Sequence, residues 1–487
     1  MKNILDTPEK RSFLGFVDRN ENGLATLSDA IFYFGELGMQ EYRTSELMSS
    51  LLEEHGFEVN LGACGFPTGF VATYGSGSPV IAIHCEYDGN PTNSQQSGVT
   101  EKLEIVNGAP GHCEGHNVNG AVMVVTAIGL RYAMEKFGLP GTLKIVGAPA
   151  EETLISRPYF VRDGVFDDVD VAFHDHIATE FRSDYGHIQY AAISADFVFN
   201  GESSHASYSP HNARDALDAV VLMDMGIAQY REHFEPNMSA QRVITHGGHQ
   251  PNIIPAMASV WWYFRAPFAD GAARLFEQGK KIAQGAAMMT NCTVDVRVRS
   301  AVWPVHLNET AAKVLQDHID AIGMPDWTEE EQEFARTLQR KLNKSPEGMP
   351  KTAAKGIKLT QPIRASNDSG DVSWKVPMAR LLFPGCVPGT TPHHWAGGVS
   401  LAMSLTHKGA AVATKALGSA ILEYLTDKGD LLARTKASFK AETNGTSYKT
   451  LLPDGQKPPV DLNRQEMQKY RSLMEPHYIK ERPRIVA

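Results

Sequence analysis

Residues 111–117 of the sequence read GHCEGHN and bring several reactive side chains together. The segment places His112, Cys113, Glu114 and His116 among glycines, directly ahead of a long apolar stretch. Imidazole, thiolate and carboxylate groups are metal ligands, and a cysteine beside histidines is also a candidate nucleophile. A glycine-rich turn with polar residues ahead of a helix can equally serve as a helix cap. The segment alone therefore leaves a metal site, a thiol nucleophile and a cap as alternatives.

Acidic side chains and histidines also follow three short apolar runs elsewhere in the chain. The runs, which are typical of central parallel strands, are VIAIHCEY (80–87), TLKIVGA (142–148) and VDVAFH (169–174). The polar groups at their carboxyl ends are Glu86, Asp88, Glu151, Glu152, His174, Asp175 and His176. Ligands in open α/β sheets bind beyond this end of the strands, and adjacent buried acids repel each other unless a cation holds them. We therefore predict a metal centre there, with two ions because the ligands exceed the needs of one four-coordinate ion.

The segments around these runs predict an α/β protein with two domains. Residues 117–138 are apolar almost all round at their start, as in a helix packed on a sheet. From about 190 to 305 alternating strands surround one amphipathic helix at 213–234, which is typical of a smaller α+β domain. We expect a catalytic domain formed by residues 1–190 and 306–487, a second domain at 191–305 inserted into it, and a surface tail after about residue 427.

The composition excludes several functional classes. The chain has 487 residues, is 42% hydrophobic and 21% charged, and carries a net charge of −10 without a run of basic residues. This charge argues against nucleic acid or an anionic membrane as a partner. The start lacks the apolar core of a signal peptide, and no apolar run is long enough to span a bilayer. Five scattered cysteines without a CxxC motif indicate a reducing, cytoplasmic environment.

One further motif, DRNENGLATLSD at 18–29, has the spacing of a calcium-binding loop. It is single and ends in aspartate rather than glutamate. We predict that this segment does not bind calcium.

Nine motifs follow one another along most of the chain: ELGMQEYRTSELM, GFPTGFVATYGSGSPVIAIHCEYD, GHCEGHN, GAPAEET, HASYSPHNARDALDAV, PNIIP, NDSGDVSW, PGTTPHHW and PDGQKPPVDLN. Taken in this order, they resemble the zinc-exopeptidase aminoacylase/carboxypeptidase family. Within that family the chain is similar to the amidohydrolase branch related to the B subunit of p-aminobenzoyl-glutamate hydrolase. The resemblance implies a catalytic domain with a central, mostly parallel sheet flanked by helices, a dinuclear metal site, and an inserted α+β lid domain that also mediates dimerisation.

The resemblance assigns roles to the glutamate pair and to two histidines near the metals. It implies that Glu151 is the general base and Glu152 a metal ligand, a division that keeps the base from being captured by the metal. His176 matches one ligand histidine, with His174 as the alternative. His394 matches the C-terminal ligand histidine, with His393 as the alternative. Asp88 matches the aspartate after the first strand, and Glu86 a position that is a ligand histidine in some branches.

The resemblance also bears on the GHCEGHN segment. The related amidohydrolases read GHGCGHN there, with the cysteine and the final histidine as ligands. In this register the ligands are Glu114 and His116, and Cys113 falls on a glycine position. Binding through Cys113 in a shifted loop is the alternative. A site of oxygen and imidazole donors suits zinc, manganese or cobalt, and we expect two divalent ions per chain, Zn²⁺ or Mn²⁺.

Three residues of the inserted domain receive roles by resemblance. His205 matches a histidine that reaches the partner's active site in a dimer and polarises the scissile carbonyl. Asn252 and Arg265 match residues that bind the substrate's carboxylate, for which a guanidinium is suited. An exposed strand arginine paired with a neighbour is the alternative for Arg265.

These expectations predict a dinuclear-metal amidohydrolase. It would cleave an N-acyl or N-aroyl amino acid resembling p-aminobenzoyl-glutamate, or a related small amide, through water activated by the metals and Glu151. A dipeptidase or carboxypeptidase of the same family is the nearest alternative. A thiol hydrolase using Cys113 and a non-catalytic chain that binds the substrate are the others. We expect a homodimer, with pairing to a related chain as the alternative.

Overall fold

The computed structural model describes residues 4–487. Its α-helices are α1 Pro8–Arg19, α2 Glu21–Phe34, α3 Tyr42–Glu54, α4 His116–Phe137, α5 Ser156–Arg162, α6 Ala216–Tyr230, α7 Ala269–Thr290, α8 Glu309–Ile322, α9 Glu329–Lys341, α10 Gly370–Lys375, α11 Trp395–Gly398, α12 Ser404–Thr426, α13 Asp430–Glu442 and α14 Arg464–Met474. Its β-strands are β1 Glu58–Leu61, β2 Phe70–Ser76, β3 Val80–Cys85, β4 Gly141–Gly147, β5 Val171–Ala178, β6 Tyr185–His187, β7 Ala191–Asn200, β8 Ser239–His246, β9 Met257–Ala266, β10 Thr293–Val302, β11 His306–Leu307, β12 Lys358–Leu359 and β13 Met378–Pro384.

The central sheet has six strands in the order β1-β2-β4-β3-β5-β13. Strands β4, β3, β5 and β13 run parallel, whereas β1 and β2 pair antiparallel at one edge. The three apolar runs of the sequence form β3, β4 and β5, as predicted. Strand β13, with the sequence MARLLFP, joins them from the far end of the chain. Its distance in sequence hides this pairing from local patterns.

Helices cover both faces of the central sheet, because side chains alternate between the two faces of a strand. Ile81 and Ile83 pack with α1, α2, α4, α8 and α12 in one core, while Ala82 and Ala172 face α5 and α10 in another. Helix α4 is buried throughout Val118–Leu130. This burial confirms the interpretation of its apolar sequence as a helix packed on the sheet.

A second, antiparallel sheet is inserted after β6, with the strand order β10-β7-β9-β8. Strand β9 alternates between buried and half-buried side chains, and its buried Trp262 and Phe264 lie in the same core as residues of α6 and α7. The architecture confirms the predicted fold class of a mostly parallel α/β sheet with a smaller α+β insertion. The sheet spans Ala191–Val302, and the domain bounds 191–305 stay a prediction.

The two ends of the chain contact each other, because the N–H of Val486 donates to Asn20 Oδ1 at 2.7 Å. The segment 18–29 lies mainly in α2, where Asp29 contacts His407 at 2.7 Å and Asp18 contacts Lys415 at 2.6 Å. The calcium-loop spacing therefore belongs to a helix.

The tail after residue 427 contains α13 and α14. No helix in the described part of the chain is long and apolar enough to cross a membrane.

Candidate metal centre

The carboxyl ends of β3, β4 and β5 meet the start of α4, and their polar side chains converge there. Three overlapping groups each bring ligand atoms within 4.8 Å of one another. Because the groups share His116 and Glu152, the cluster has room for neighbouring ion positions rather than a single one. The groups are Glu86, His116 and His176; His116, Glu151 and Glu152; and Glu114, Glu152 and His393.

His116 is oriented by a tight turn and by Asp88. Gly115 has φ +80°, and a Cβ added there would lie 2.3 Å from Ile177 Cγ2, so the turn requires glycine. His116 Nδ1 lies 3.0 Å from the carbonyl oxygen of Asp88 and 3.3 Å from its Oδ1. Its buried Nε2 has no hydrogen-bond partner within residues 4–487. An imidazole held at one nitrogen by a carboxylate and free at the other is the usual arrangement of a ligand histidine.

The glutamate pair lies in a short turn whose backbone is held by two buried acids. The flanking residues Ala150 and Leu154 both have φ +59°, a left-handed conformation that costs about 1–3 kcal/mol for a residue with a side chain. The N–H of Ala150 donates to Glu41 Oε1 at 2.8 Å, and the N–H of Glu152 donates to Asp88 Oδ2 at 3.1 Å. These bonds stabilise the strained turn and point the glutamates toward the cluster.

The electrostatics of the cluster are those of an anionic pocket. Burial raises the pKa of Glu152 to about 8, with His116 opposing the rise and Glu114 adding to it. Burial also raises the pKa of Glu151 well above its usual value, and the charge of Glu86 adds to this. Burial favours neutral His116, but the surrounding carboxylates outweigh it and raise its pKa well above the usual value. Buried carboxylates and imidazoles have atoms without a hydrogen-bond partner among residues 4–487, including Glu152 Oε1, and such a donor set fits divalent cations.

Cys113 contributes no atom to the three ligand groups found among residues 4–487. Its buried Sγ donates to Asn90 Oδ1 at 3.0 Å, and burial raises the pKa of the thiol. A protonated, hydrogen-bonded thiol is a poor nucleophile and a poor ligand. Glu114 Oε1 instead lies 2.7 Å from His393 Nε2. Burial would raise the pKa of Glu114, but the contact with His393 outweighs it and lowers the pKa.

The structure brings His393 to the cluster, whereas the resemblance favoured His394. His393 Nε2 lies 3.5 Å from Glu152 Oε2 and close to Glu114. The side chain of His394 caps α11, accepting from the N–H of Ala396 at 3.3 Å. The two neighbouring side chains diverge because His393 adopts φ +58°, which turns the chain just before α11.

His176, rather than His174, lies beside the cavity. His174 Nε2 lies 2.9 Å from Glu86 Oε2, and its ring stacks on His84 at 5.1 Å. Glu86 also forms an ion pair with Arg157, which is fully buried and bridges to Asp368. Glu86 and His174 thus belong to a buried network that adjoins His116 and His176.

A cavity of about 650 Å³ opens from the cluster toward the inserted domain. Arg265 lines it, donates to Ser366 Oγ at 2.6 Å, and lies over the ring of Tyr263 at 4.9 Å. Of the residues predicted for the site, the cavity wall includes Glu114, Glu151, Glu152, His176 and Arg265.

His205 and Asn252 do not line the cavity of their own chain. Both are exposed in the loops beyond β7 and before β9. His205 Nδ1 accepts from the N–H groups of Ser207 and Tyr208, at 3.2 and 3.1 Å. The carbonyl of Asn252 accepts from the N–H of Ala206 at 3.0 Å. A single chain therefore does not bring these two residues to the metal centre.

Two residues near the centre were not predicted from the sequence. Asn367 Nδ2 donates to Glu151 Oε1 at 2.6 Å, and Arg157 anchors Glu86. Asn367 opens the NDSGDVSW motif, which contributed to the family resemblance but received no role. Arg157 follows no recognisable pattern, because its partners Glu86 and Asp368 are distant in sequence.

Comparisons with known proteins agree with this arrangement. The peptidase dimerisation domain family matches residues 189–288. The chain is 31% identical to the B subunit of the Escherichia coli p-aminobenzoyl-glutamate hydrolase, over 90% of this chain and 96% of that protein. It is 28% identical to the Xaa-Arg dipeptidase of Mus musculus, over 65% of this chain and 72% of that protein.

Solved structures share the fold at lower sequence identity. A dinuclear metal-binding peptidase of the M20 family from Bacillus subtilis superposes with a TM-score of 0.54 at 18% identity, covering 85% of this chain and 99% of that one. An aminobenzoyl-glutamate utilization protein from Klebsiella pneumoniae gives a TM-score of 0.55 at 17% identity, covering 80% and 92%.

Proposed function

Because the chain belongs to the M20 family of amidohydrolases, as its 31% identity over 96% of a member shows, we propose that it hydrolyses the amide bond of an N-acyl or N-aroyl amino acid, such as p-aminobenzoyl-glutamate. The observation that carries this proposal is the position of Glu151. It lies in the cavity wall, beside the metal-ligand cluster and near Arg265. A base, a cation site and an anion-binding group thus share one cavity.

We assign the metal ligands as Glu114, His116, Glu152, His176 and, in place of His394, His393. Bound divalent ions would polarise the scissile carbonyl and make water acidic enough to be deprotonated near neutral pH. Carboxylate oxygens and imidazole nitrogens suit Zn²⁺ or Mn²⁺, and the neutral Cys113 thiol adds no preference for a softer ion.

Glu151 serves as the general base in this proposal. The side-chain amide of Asn367 donates a hydrogen bond to Oε1 of Glu151, and Oε2 of Glu151 lies 3.9 Å from His116 Nε2. Held in this way, Oε2 can take a proton from water and return it to the leaving amine. The amide of Asn367 is neutral, so it orients the carboxylate without capturing the proton.

Arg265 and Ser366 would bind the α-carboxylate of the substrate's amino-acid half. The two side chains are already joined by a hydrogen bond of 2.6 Å. Arg265 forms no ion pair in the described part of the chain, so its guanidinium is free for a carboxylate. A cavity of about 650 Å³ lies within the size range of small-molecule sites, so it has room for an acyl amino acid.

We propose that the active site is completed in a homodimer, by His205 and Asn252 of the second chain. Strand β8 is the edge of the inserted sheet and carries exposed Val243 and Ile244, which supports an interface through this edge. Pairing with a related chain is a second possibility, since similar relatives include both the A and the B chains of the E. coli hydrolase.

The similarity to the Xaa-Arg dipeptidase supports a dipeptidase as the second candidate function. A panel of N-benzoyl amino acids and dipeptides, assayed with added Zn²⁺ or Mn²⁺, distinguishes the two. We expect faster cleavage of the aroyl amino acids and complete loss of activity after chelation. Activity that survives chelation would contradict a metalloenzyme, and a metal-loaded chain that cleaves no amide in the panel would support a non-catalytic, substrate-binding role.

A further inference from the structure

Two sequence motifs that have received no role contact each other in the structure. The first, ELGMQEYRTSELM, begins with the segment 36–41, and the second, PDGQKPPVDLN, ends at Asn463 in the C-terminal tail. Asn463 Nδ2 donates to the carbonyl of Gly38 at 3.0 Å. In the opposite direction, Gln40 Nε2 donates to the carbonyl of Leu462 at 2.9 Å. Donors on both partners thus join the tail to the segment 36–41.

Arg471 makes a second connection between the tail and the segment 36–41. Its Nη2 donates to the carbonyl of Gln40 at 2.9 Å, and its Nη1 pairs with buried Glu36. The carboxylate of Glu36 also accepts from two backbone N–H groups at the start of α3. Because a buried carboxylate needs such partners, Arg471 helps to fix the first residue of the segment.

The segment 36–41 in turn supports the short turn that carries the glutamate pair. A Cβ added at Gly38 would lie 2.8 Å from Ala150 Cα, so the two backbones are in direct contact. Glu41 Oε1 accepts from the N–H of Ala150 at 2.8 Å. Since Ala150 has a left-handed conformation, with φ +59°, the turn needs neighbours that hold it in place.

The same segment contacts the residues that orient His116. The N–H of Gly89 donates to the carbonyl of Glu36 at 2.7 Å. Gly89 directly follows Asp88, whose carbonyl oxygen lies 3.0 Å from His116 Nδ1. A displacement of the segment would therefore disturb the supports of both His116 and the glutamate pair.

We propose that Asn463 and Arg471 are positioning residues of the active site. By holding the segment 36–41, they keep the glutamate pair in the geometry that metal binding and proton transfer require. Their effect on turnover rests on the proposed amidohydrolase function, whereas their effect on metal binding does not depend on the substrate. Neither residue lines the cavity, so both act through the segment. A displacement of about 1 Å at the reacting groups can lower a rate by about 10²-fold.

Asn463→Gly tests this role with little disturbance of the backbone. Asn463 has φ +61°, a left-handed conformation that glycine adopts readily, so the substitution removes only the side-chain donor. Asn444→Gly is the matched control, because Asn444 lies in the same tail, is exposed and has φ +48°. Both variants gain the same freedom of the unfolded chain, but only the first loses the hydrogen bond to Gly38.

The full chain saturated with Mn²⁺ is assayed for kcat and KM on N-benzoyl amino acids, and equilibrium dialysis measures its affinity for Mn²⁺. We expect Asn463→Gly to lower kcat and Mn²⁺ affinity by about tenfold each, the usual scale for losing a hydrogen bond that supports a metal ligand. Its KM should stay within about twofold, because Arg265 and Ser366, which would bind the substrate's carboxylate, lie on other segments. Asn444→Gly should match the unmodified chain in all three quantities.

Arg471 provides a second measurement. Arg471→Gln loses the ion pair with Glu36 and should lower kcat and Mn²⁺ affinity in the same way, again with little change in KM. Arg471→Lys keeps a positive charge beside Glu36 and should recover part of both losses. Unchanged kcat and affinity in a folded Arg471→Gln variant would overturn the part of the proposal that concerns Arg471.

The outcomes separate the positioning role from the proposed function. Equal losses in Asn463→Gly and Asn444→Gly, or a lower melting temperature of Asn463→Gly with unchanged kcat and Mn²⁺ affinity, would overturn the positioning role and leave the hydrolase intact. If the unmodified chain cleaves no amide, the proposed function is overturned. The Mn²⁺ affinities of the two glycine variants then decide the positioning role: a loss confined to Asn463→Gly supports it, and equal affinities overturn it.

Discussion

Replacing Glu151 by glutamine tests the assignment of the general base with little disturbance of the structure. Glutamine retains a carbonyl oxygen, which can still accept the hydrogen bond from Asn367 that now measures 2.6 Å. The change also removes one negative charge from a site where burial and Glu86 already raise the pKa of Glu151. The variant should therefore fold and keep the metal ligands in place.

The expected magnitudes follow from these contacts. Exchanging a charge-assisted hydrogen bond for a neutral one costs about 1 kcal/mol, and the relief of repulsion from the neighbouring acids offsets part of it. The melting temperature should consequently change by at most a few degrees, because the shift is about 2–4 °C per kcal/mol for chains of roughly 150–250 residues and smaller for longer ones. Loss of a general base should lower kcat by about 10²- to 10⁴-fold, or roughly 3–5 kcal/mol in activation free energy.

The assay measures three quantities on the same purified sample: metal content per chain, melting temperature, and kcat on N-benzoyl amino acids. Glu152→Gln is the matched control, because it changes the adjacent carboxylate from the same turn. We expect the control to lose metal and the Glu151→Gln variant to retain it. A metal-replete Glu151→Gln variant with near-normal kcat would refute the role of Glu151 as the base.

Three further predictions concern the ligands and the assembly. Glu114→Ala should lose at least one metal ion per chain, whereas Cys113→Ser should keep its metal content and hydrolysis rate, because the thiol is hydrogen-bonded to Asn90. Metal analysis with the reverse result would identify the cysteine as the ligand. His393→Ala should lower metal content and kcat by about tenfold or more. His394→Ala should lower only the melting temperature, through the loss of a helix cap worth about 1 kcal/mol. Equal metal loss in both variants would contradict the choice of His393. Inactive His205→Ala chains mixed with inactive Glu151→Gln chains should recover part of the activity after subunit exchange, because a mixed dimer contains one intact site. No recovery after verified exchange, or full activity of a monomer, would count against the shared active site.

The sequence alone predicted the fold class, three central strands and the convergence of polar residues at their carboxyl ends. Apolar runs identified β3, β4 and β5 because buried parallel strands are apolar on both faces, and the acids at their ends were visible as a break in that pattern. The position of the carboxyl ends at one edge of a parallel sheet then brings these acids together by geometry alone. Candidate ligands supplied by adjacent elements, such as His116 and Glu152, could therefore be proposed from the sequence.

Only the tertiary structure decided the features that depend on contacts between distant segments. The proximity of His393, rather than His394, to Glu114 rests on a turn of the backbone that the sequence does not reveal, and our proposal of His393 as the ligand follows from it. The bond from Asn367 to Glu151 joins residues that are far apart in sequence, and Arg380 reaches the cavity only because β13 pairs with β5. Local patterns report the period and the buried face of a helix or strand, whereas the identity of its partners is set by packing between distant segments and does not show in the spacing of a single sequence.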